Sequence, residues 1–159
     1  MSTHRVNCTV NGEPCSLDVP AGRLLADFLR DDLHLTGTKR GCETAICGAC
    51  SVLLDGEVVK SCLMLAVQVN GRAVTTVEGL AQGDALHPLQ KSFMECGGLQ
   101  CGYCTPGMMM ASADLLAHNP NPTVHEIQRG LAGNLCRCTG YTQIVESIQH
   151  AAAEMNHGN

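Results

Sequence analysis

Eleven of the 159 residues are cysteine, and their spacing is the part of the sequence that can do chemistry. The stretch GCETAICGAC, residues 41–50, holds Cys42, Cys47 and Cys50, and Cys62 follows after eleven intervening residues. A C-x4-C-x2-C triplet with a distant fourth cysteine is the plant-type spacing for a [2Fe–2S] cluster. Three thiolates must converge on one small inorganic core, so the backbone has to wrap it closely. Gly41 and Gly48 are expected to permit that approach, since they lack a Cβ to collide with sulfide. Inward amides of such a loop can hydrogen-bond the sulfurs and raise the cluster potential. A structural zinc site more often shows C-x2-C pairs, so zinc is the weaker reading here.

The second half carries CGGLQCGYC, with Cys96, Cys101 and Cys104, and later CRC, with Cys136 and Cys138. Spacing alone leaves two readings. Cys96, Cys101 and Cys104 repeat the plant-type triplet and need one more ligand. Alternatively Cys101 and Cys104 pair with Cys136 and Cys138, a set that strands no thiol in NLCRCTGY. We favour the second, in which each pair opens a helix whose N-terminus favours the negative charge of a thiolate-ligated cluster. A four-cysteine zinc knot has the same number of thiolates and stays open. A thioredoxin-like use of CGYC lacks the βαβ pattern it requires.

These motifs need elements to position them. HRVNCTV alternates with Val6, Cys8 and Val10 on one face, and Asn11-Gly12 turns it into EPCSLDV. RLLADFLRDDL places Leu24, Leu25, Phe28 and Leu29 on one side of a short helix. After the cysteine loop, CSVLLDGEVVKSC reads as two strands about Asp55-Gly56, which returns Cys62 toward the loop. RAVTTVEGL supplies one more strand. Strands packed with a single helix fit a small α+β fold of ferredoxin type. From Pro88 the pattern turns helical: HPLQKSFMEC; TPGMMMASADLLAH, opened by Thr105 with Pro106 in its first turn; TVHEIQRGLAGN, with a Thr123/Glu126 capping box; and GYTQIVESIQHAAAEM. VEGLAQGDALH reads as the linker, which divides the chain into residues 1–79 and 80–159.

Composition narrows the function classes. With 45% apolar residues the chain is globular, and a net charge of −5 argues against nucleic acid. No apolar run approaches a membrane span, and the start lacks the apolar core of a secretory signal. A cytoplasmic setting is therefore expected, where thiols stay reduced and an odd number of cysteines points to metal or redox chemistry.

Other side chains have blander readings. Cys8 faces inward and reads as a small buried hydrophobe, with Cys15 and Cys96 as the same by default. Met108, Met109 and Met110 read as helical core. The seven histidines are scattered singly, against a Rieske site. Arg137, between two candidate ligands, either faces solvent or raises the potential of a neighbouring cluster.

GCETAICGACSVLLDG, KSCLMLA, VTTVEGLA, QCGYCTPGMMM, NPNPT and GNLCRCTGY occur in one order. Together they resemble the small iron–sulfur subunit of molybdenum hydroxylases, the xanthine oxidase family, over nearly the whole chain. The resemblance implies an N-terminal ferredoxin-like (β-grasp) domain and a C-terminal four-helix bundle, each with one [2Fe–2S] cluster. It implies ligands Cys42, Cys47, Cys50 and Cys62 for one cluster and Cys101, Cys104, Cys136 and Cys138 for the other, which leaves Cys96 out. It also implies that Gln100 hydrogen-bonds a pterin and that Cys138 lies close to it. Molybdopterin–molybdenum would sit in a large subunit and FAD in a medium subunit, the whole assembled as a dimer of heterotrimers by the same resemblance. Electrons would run from molybdenum through the helical-domain cluster and the ferredoxin-like cluster to FAD. Neither a molybdenum, a flavin nor a substrate site is expected on this chain, and the choice of substrate would lie in the large subunit. The rivals are a stand-alone ferredoxin carrier and a zinc-stabilised interaction module.

Overall fold

A computed structural model describes residues 2–157. β1 (Thr3–Val10) and β2 (Glu13–Pro20) form an antiparallel hairpin. Its turn puts Asn11 and Gly12 at φ 52° and 85°, the double positive φ that matches strand twist and that Asn-Gly tolerates. β3 (Ser51–Leu54) and β4 (Glu57–Lys60) repeat the device about Asp55-Gly56. β5 (Ala73–Thr75) inserts between the hairpins, parallel to β1 and antiparallel to β3, giving the order β2-β1-β5-β3-β4.

α1 (Leu25–Asp27) runs straight into a π-turn at Phe28–Asp32. Leu25, Phe28 and Leu29 are fully buried against Val6, Val52 and Val74, each side chain contributing about 1.5–3 kcal/mol. Leu24, expected on the same face, is only half-buried and bridges instead to Leu65. The strand expected over RAVTTVEGL is shorter, because Val77–Gly79 turns as a 3₁₀ helix. Residues 33–50, with the first cysteine triplet, connect the π-turn to β3.

The helical half comprises α2 (Pro88–Glu95), α3 (Thr105–His118), α4 (Val124–Gly130) and α5 (Thr142–His157). Thr123 and Glu126 form the expected capping box on α4. His87 and Gln90 make another on α2, its Nδ1 accepting from the Leu89 amide at 3.1 Å. The cap of α3 is Cys104, with Thr105 the first helical residue. Met108, Met109 and Met110 are all buried: α3 packs on β3 as well as on its neighbouring helices, and a helix covered on both sides needs apolar residues all round. Leu53 and Val58 of the sheet join this helical core, so the two halves share a packed seam. Among the described residues no helix is long and apolar enough to cross a membrane.

Candidate metal centres

In the first loop the peptide chain points its amides at sulfur. The Cys47 amide donates to Cys42 Sγ and the Cys42 amide to Cys47 Sγ, both at 3.3 Å, and the Thr44 amide reaches Cys42 Sγ at 3.4 Å. Glu43 and Ala45 make this possible by adopting φ 55° and 59°, a left-handed geometry that costs about 1–2 kcal/mol per residue. Strain of this kind, alternating with ordinary residues, folds a concave nest of N–H donors. The β3–β4 register, Ser51 opposite Lys60, brings Cys62 beside Cys50, and both are buried in mutual contact. Ser61 fixes the turn, its hydroxyl donating to the Cys50 carbonyl at 2.7 Å.

The glycines divide their labour differently from the sequence expectation. A Cβ at Gly41 would lie 2.7 Å from Cys47 Sγ, so that glycine does admit sulfur. A Cβ at Gly48 would instead strike the Gly133 carbonyl and the Asn134 side chain. Gly48 serves the contact with the helical half, not the approach of sulfide.

The second set lies in the loops ahead of α3 and α5. Cys138 Sγ is 3.5 Å from Cys101 Sγ, and Cys104 lies near Cys136. Cys101, Cys104, Cys136 and Cys138 thus lie near one another. Cys96 ends α2, its amide bonded to the Ser92 carbonyl at 2.9 Å. Cys104 caps its helix as expected, whereas Cys138 stands in the loop before Thr142, where α5 begins. The loop is built around Tyr141, whose hydroxyl accepts from the Cys136 amide at 2.9 Å and donates to the Asn134 carbonyl at 3.2 Å. Thr139 supplies both its hydroxyl, at 3.2 Å, and its amide, at 3.5 Å, to Cys136 Sγ. Thr105, directly after Cys104, has a buried hydroxyl with no hydrogen-bond partner among the described residues.

Electrostatics separates the thiols within each set. Hydrogen bonds from the Thr44 side chain and the Cys47 amide pull Cys42 down to about 6, while burial pushes Cys50 up to about 11. Burial, with Cys136 alongside, pushes Cys104 up to about 12. Burial acts upward on Cys136 too, but Thr139 and the Cys138 amide bring it below its usual value. A bound metal deprotonates such thiols outright.

The sulfurs suit a two-iron cluster better than a lone ion. They come together in twos, and among the described residues no three of them lie within 4.8 Å of one another. One zinc ion with Zn–S bonds of about 2.3 Å would gather all four within about 4 Å. A [2Fe–2S] core takes four thiolates, two on each iron. The amide nest, the space beside Gly41 and the unpartnered Thr105 hydroxyl fit the same group.

The two loops are joined to each other. The Leu135 amide donates to the Cys47 carbonyl at 2.8 Å. Asn134 Nδ2 reaches the Gly48 carbonyl at 3.1 Å and Ser51 Oγ at 3.3 Å. Tyr103, between Cys101 and Cys104, donates its hydroxyl to the Arg40 carbonyl. Lys60 Nζ donates to Ser51 Oγ, the Gly133 carbonyl and Asn134 Oδ1 at 2.9, 3.0 and 3.1 Å. Burial lowers the Lys60 pKa, and the thiols of Cys50, Cys47, Cys62 and Cys42 pull it back up. Sequence reasoning missed Lys60, Asn134, Thr139 and Tyr141: they stand inside the stretches KSCLMLA and GNLCRCTGY, but the cysteine spacing read there does not mark them.

The remaining candidates fall in place. Gln100, Cys101, Arg137 and Cys138 are exposed. Cys8 is buried opposite Cys15 across the first hairpin; burial and the Cys15 thiol push it up to about 11, which keeps it an inert packing residue.

Residues 8–81 match the family described as a 2Fe-2S iron-sulfur cluster binding domain, and residues 76–149 match the [2Fe-2S] binding domain family. The chain is 49% identical to the nicotine 6-hydroxylase small subunit of Paenarthrobacter nicotinovorans, covering 97% of this chain and 93% of that one. It is 50% identical to the caffeine dehydrogenase subunit gamma of Pseudomonas sp. (strain CBB1), covering 94% and 91%. Its fold superposes on a chain of quinoline 2-oxidoreductase from Pseudomonas putida 86 with a TM-score of 0.95 and 46% identity, over 99% of this chain and 98% of that one. With two cysteine sets on two matching domains and relatives of similar length, the chain belongs to the small [2Fe–2S] subunits of the molybdenum hydroxylases, the electron-transfer subunits of complexes whose molybdenum and FAD reside on partner subunits.

Proposed function

We propose that this chain relays electrons between a large molybdopterin subunit and a medium FAD subunit in a cytoplasmic dimer of heterotrimers. Cys42, Cys47, Cys50 and Cys62 hold the ferredoxin-like cluster. Cys101, Cys104, Cys136 and Cys138 hold the helical-domain cluster. A cluster at each set would be held by its four thiolates, which lie as Cys50 beside Cys62 in one set and Cys101 beside Cys138 in the other. The boundary between the domains is placed between residues 79 and 80, and Leu80 already packs into the helical core. Each cluster, when bound, supplies a one-electron acceptor and donor.

The observation that carries the reading is the backbone hydrogen bond from the Leu135 amide to the Cys47 carbonyl. It joins the residue before one ligand directly to a ligand of the other set, so the chain itself holds the two sites in fixed register. The outer edge of the helical site faces outward: Gln100, Cys101 and Cys138 are exposed beside the exposed apolar side chains of Leu99, Tyr103 and Leu135. That edge is where Gln100 hydrogen-bonds the pterin and Cys138 approaches it. Electrons enter there and leave from the ferredoxin-like side toward FAD.

Affinity purification of the tagged chain from its own host tests the assembly. Flavin, molybdenum and two larger polypeptides are expected in equal proportion to the chain. A native mass equal to the isolated chain, with substrate oxidation retained, would defeat the proposal.

A further inference from the structure

Lys60 touches both loops and ligates nothing. An ammonium has three N–H donors, and all three of Lys60's are spent on neutral oxygens, those of Ser51, Gly133 and Asn134. Among the described residues no carboxylate pairs with it, so its charge is held in place uncancelled. Strand β4 fixes its position: Lys60 lies opposite Ser51, which follows Cys50, and two residues before Cys62. That register, with the 2.9 Å bond to Ser51 Oγ, sets the ammonium beside the turn that holds Cys50 and Cys62. Toward the helical loop its reach ends at Gly133 and Asn134, ahead of Cys136.

A cluster bound by four thiolates is anionic and gains a further negative charge on reduction, so a nearby fixed cation favours the reduced form. We propose that Lys60 is a positioning residue whose ammonium acts as a fixed counter-charge for the ferredoxin-like site, making an electron more stable there than at the helical-domain site. The balance is simple: the helical site loses one electron, the ferredoxin-like site gains it, and no bond or proton changes hands. Asn134 and Gly133 hold the charge at the seam, so the bias is built into the same contacts that join the two domains. The inference rests on the ligand assignment proposed above.

The test is a redox titration of the assembled complex followed by electron paramagnetic resonance, which reads each cluster separately. Lys60→Met is expected to lower the equilibrium constant for placing the electron on the ferredoxin-like site, relative to the helical site, by about tenfold, or about 59 mV for a one-electron couple. Lys60→Arg, which keeps the charge, is expected to stay within about twofold of wild type, a margin well inside that tenfold step. If Lys60 were only a structural tie, Lys60→Met would lower stability and leave the difference between the two midpoints unchanged, which overturns the proposal. An Arg variant shifted as far as the Met variant overturns it too. Lys60→Gln keeps a donor without the charge, and it must show the same fall where Lys60→Met fails to load its clusters; a Gln variant with wild-type midpoints is contrary. Loss of one signal from the wild-type complex would instead remove the ligand assignment, a result distinct from any of these.

Discussion

Replacing Gly107 by alanine should destabilise the protein, against the usual direction for a helix, where alanine gains about 1 kcal/mol over glycine. Gly107 is the third residue of α3, at the point where that helix meets the first cysteine loop. An added Cβ would strike the Gly48 carbonyl oxygen and lie 3.1 Å from Ala49 Cα. Both obstacles are backbone, so no side chain can swing away. The Gly48 carbonyl is itself pinned by the Ser51 amide at 3.0 Å, Ser51 Oγ at 2.8 Å and Asn134 Nδ2 at 3.1 Å. Overpacking of this kind costs about 1–3 kcal/mol. Displacing the Gly48 carbonyl to relieve it would surrender the Asn134 bond, about 1 kcal/mol more. Less the gain in helix propensity, the net loss is about 1–3 kcal/mol, and at about 2–4 °C per kcal/mol for a chain of this size the melting midpoint should fall by roughly 5 °C. Thermal melts followed by circular dichroism measure it, with Gly22→Ala as the control because a Cβ there meets nothing within 4 Å. A Gly107→Ala protein that melts at or above wild type would refute the close approach of α3 to the loop.

Cys96→Ser should retain both cluster signals, whereas Cys136→Ser should disturb the helical-domain signal alone; the reverse pattern in electron paramagnetic resonance would reassign the ligands. His118 clasps the seam, with Nε2 3.3 Å from Glu57 Oε1 and Nδ1 2.9 Å from the Asp114 carbonyl. That carbonyl and the Glu57 carboxylate hold its pKa above the ordinary value. A raised pKa stabilises the fold fully below the unfolded value of about 6.5 and ceases to do so as pH climbs through the folded one. The melting difference between wild type and His118→Gln should accordingly be larger near pH 6 than near pH 8, and an equal difference at both would count against the clasp.

Much of this architecture was legible because it is local. The loop that gathers Cys42, Cys47 and Cys50 is written in their spacing; the hairpins are written in Asn11-Gly12 and Asp55-Gly56; the start of α4 is written in Thr123 and Glu126. Each needs only neighbours in sequence. What could not be read depends on partners far along the chain. Gly48 looked like a sulfide-clearing glycine, yet it answers to Gly133 and Asn134 more than eighty residues away. Lys60 reads as one more strand-end lysine until the helical loop closes over it. The left-handed conformations of Glu43 and Ala45 run against their residue types, so propensity pointed elsewhere and the convergence of amides on sulfur had to outweigh it. The parallel pairing of β5 with β1 and the π-turn after α1 are likewise set by packing, not by pattern.

The central claim is that one chain holds two [2Fe–2S] clusters on two separate thiol sets. Iron, zinc and acid-labile sulfide analysis of the purified complex, with spin integration of its reduced electron paramagnetic resonance spectrum, tests this most directly. Two clusters of two irons each require about four iron and about four sulfide per chain, with two distinct signals of equal weight. About two iron with a single signal, or zinc in proportion to the chain, would contradict it.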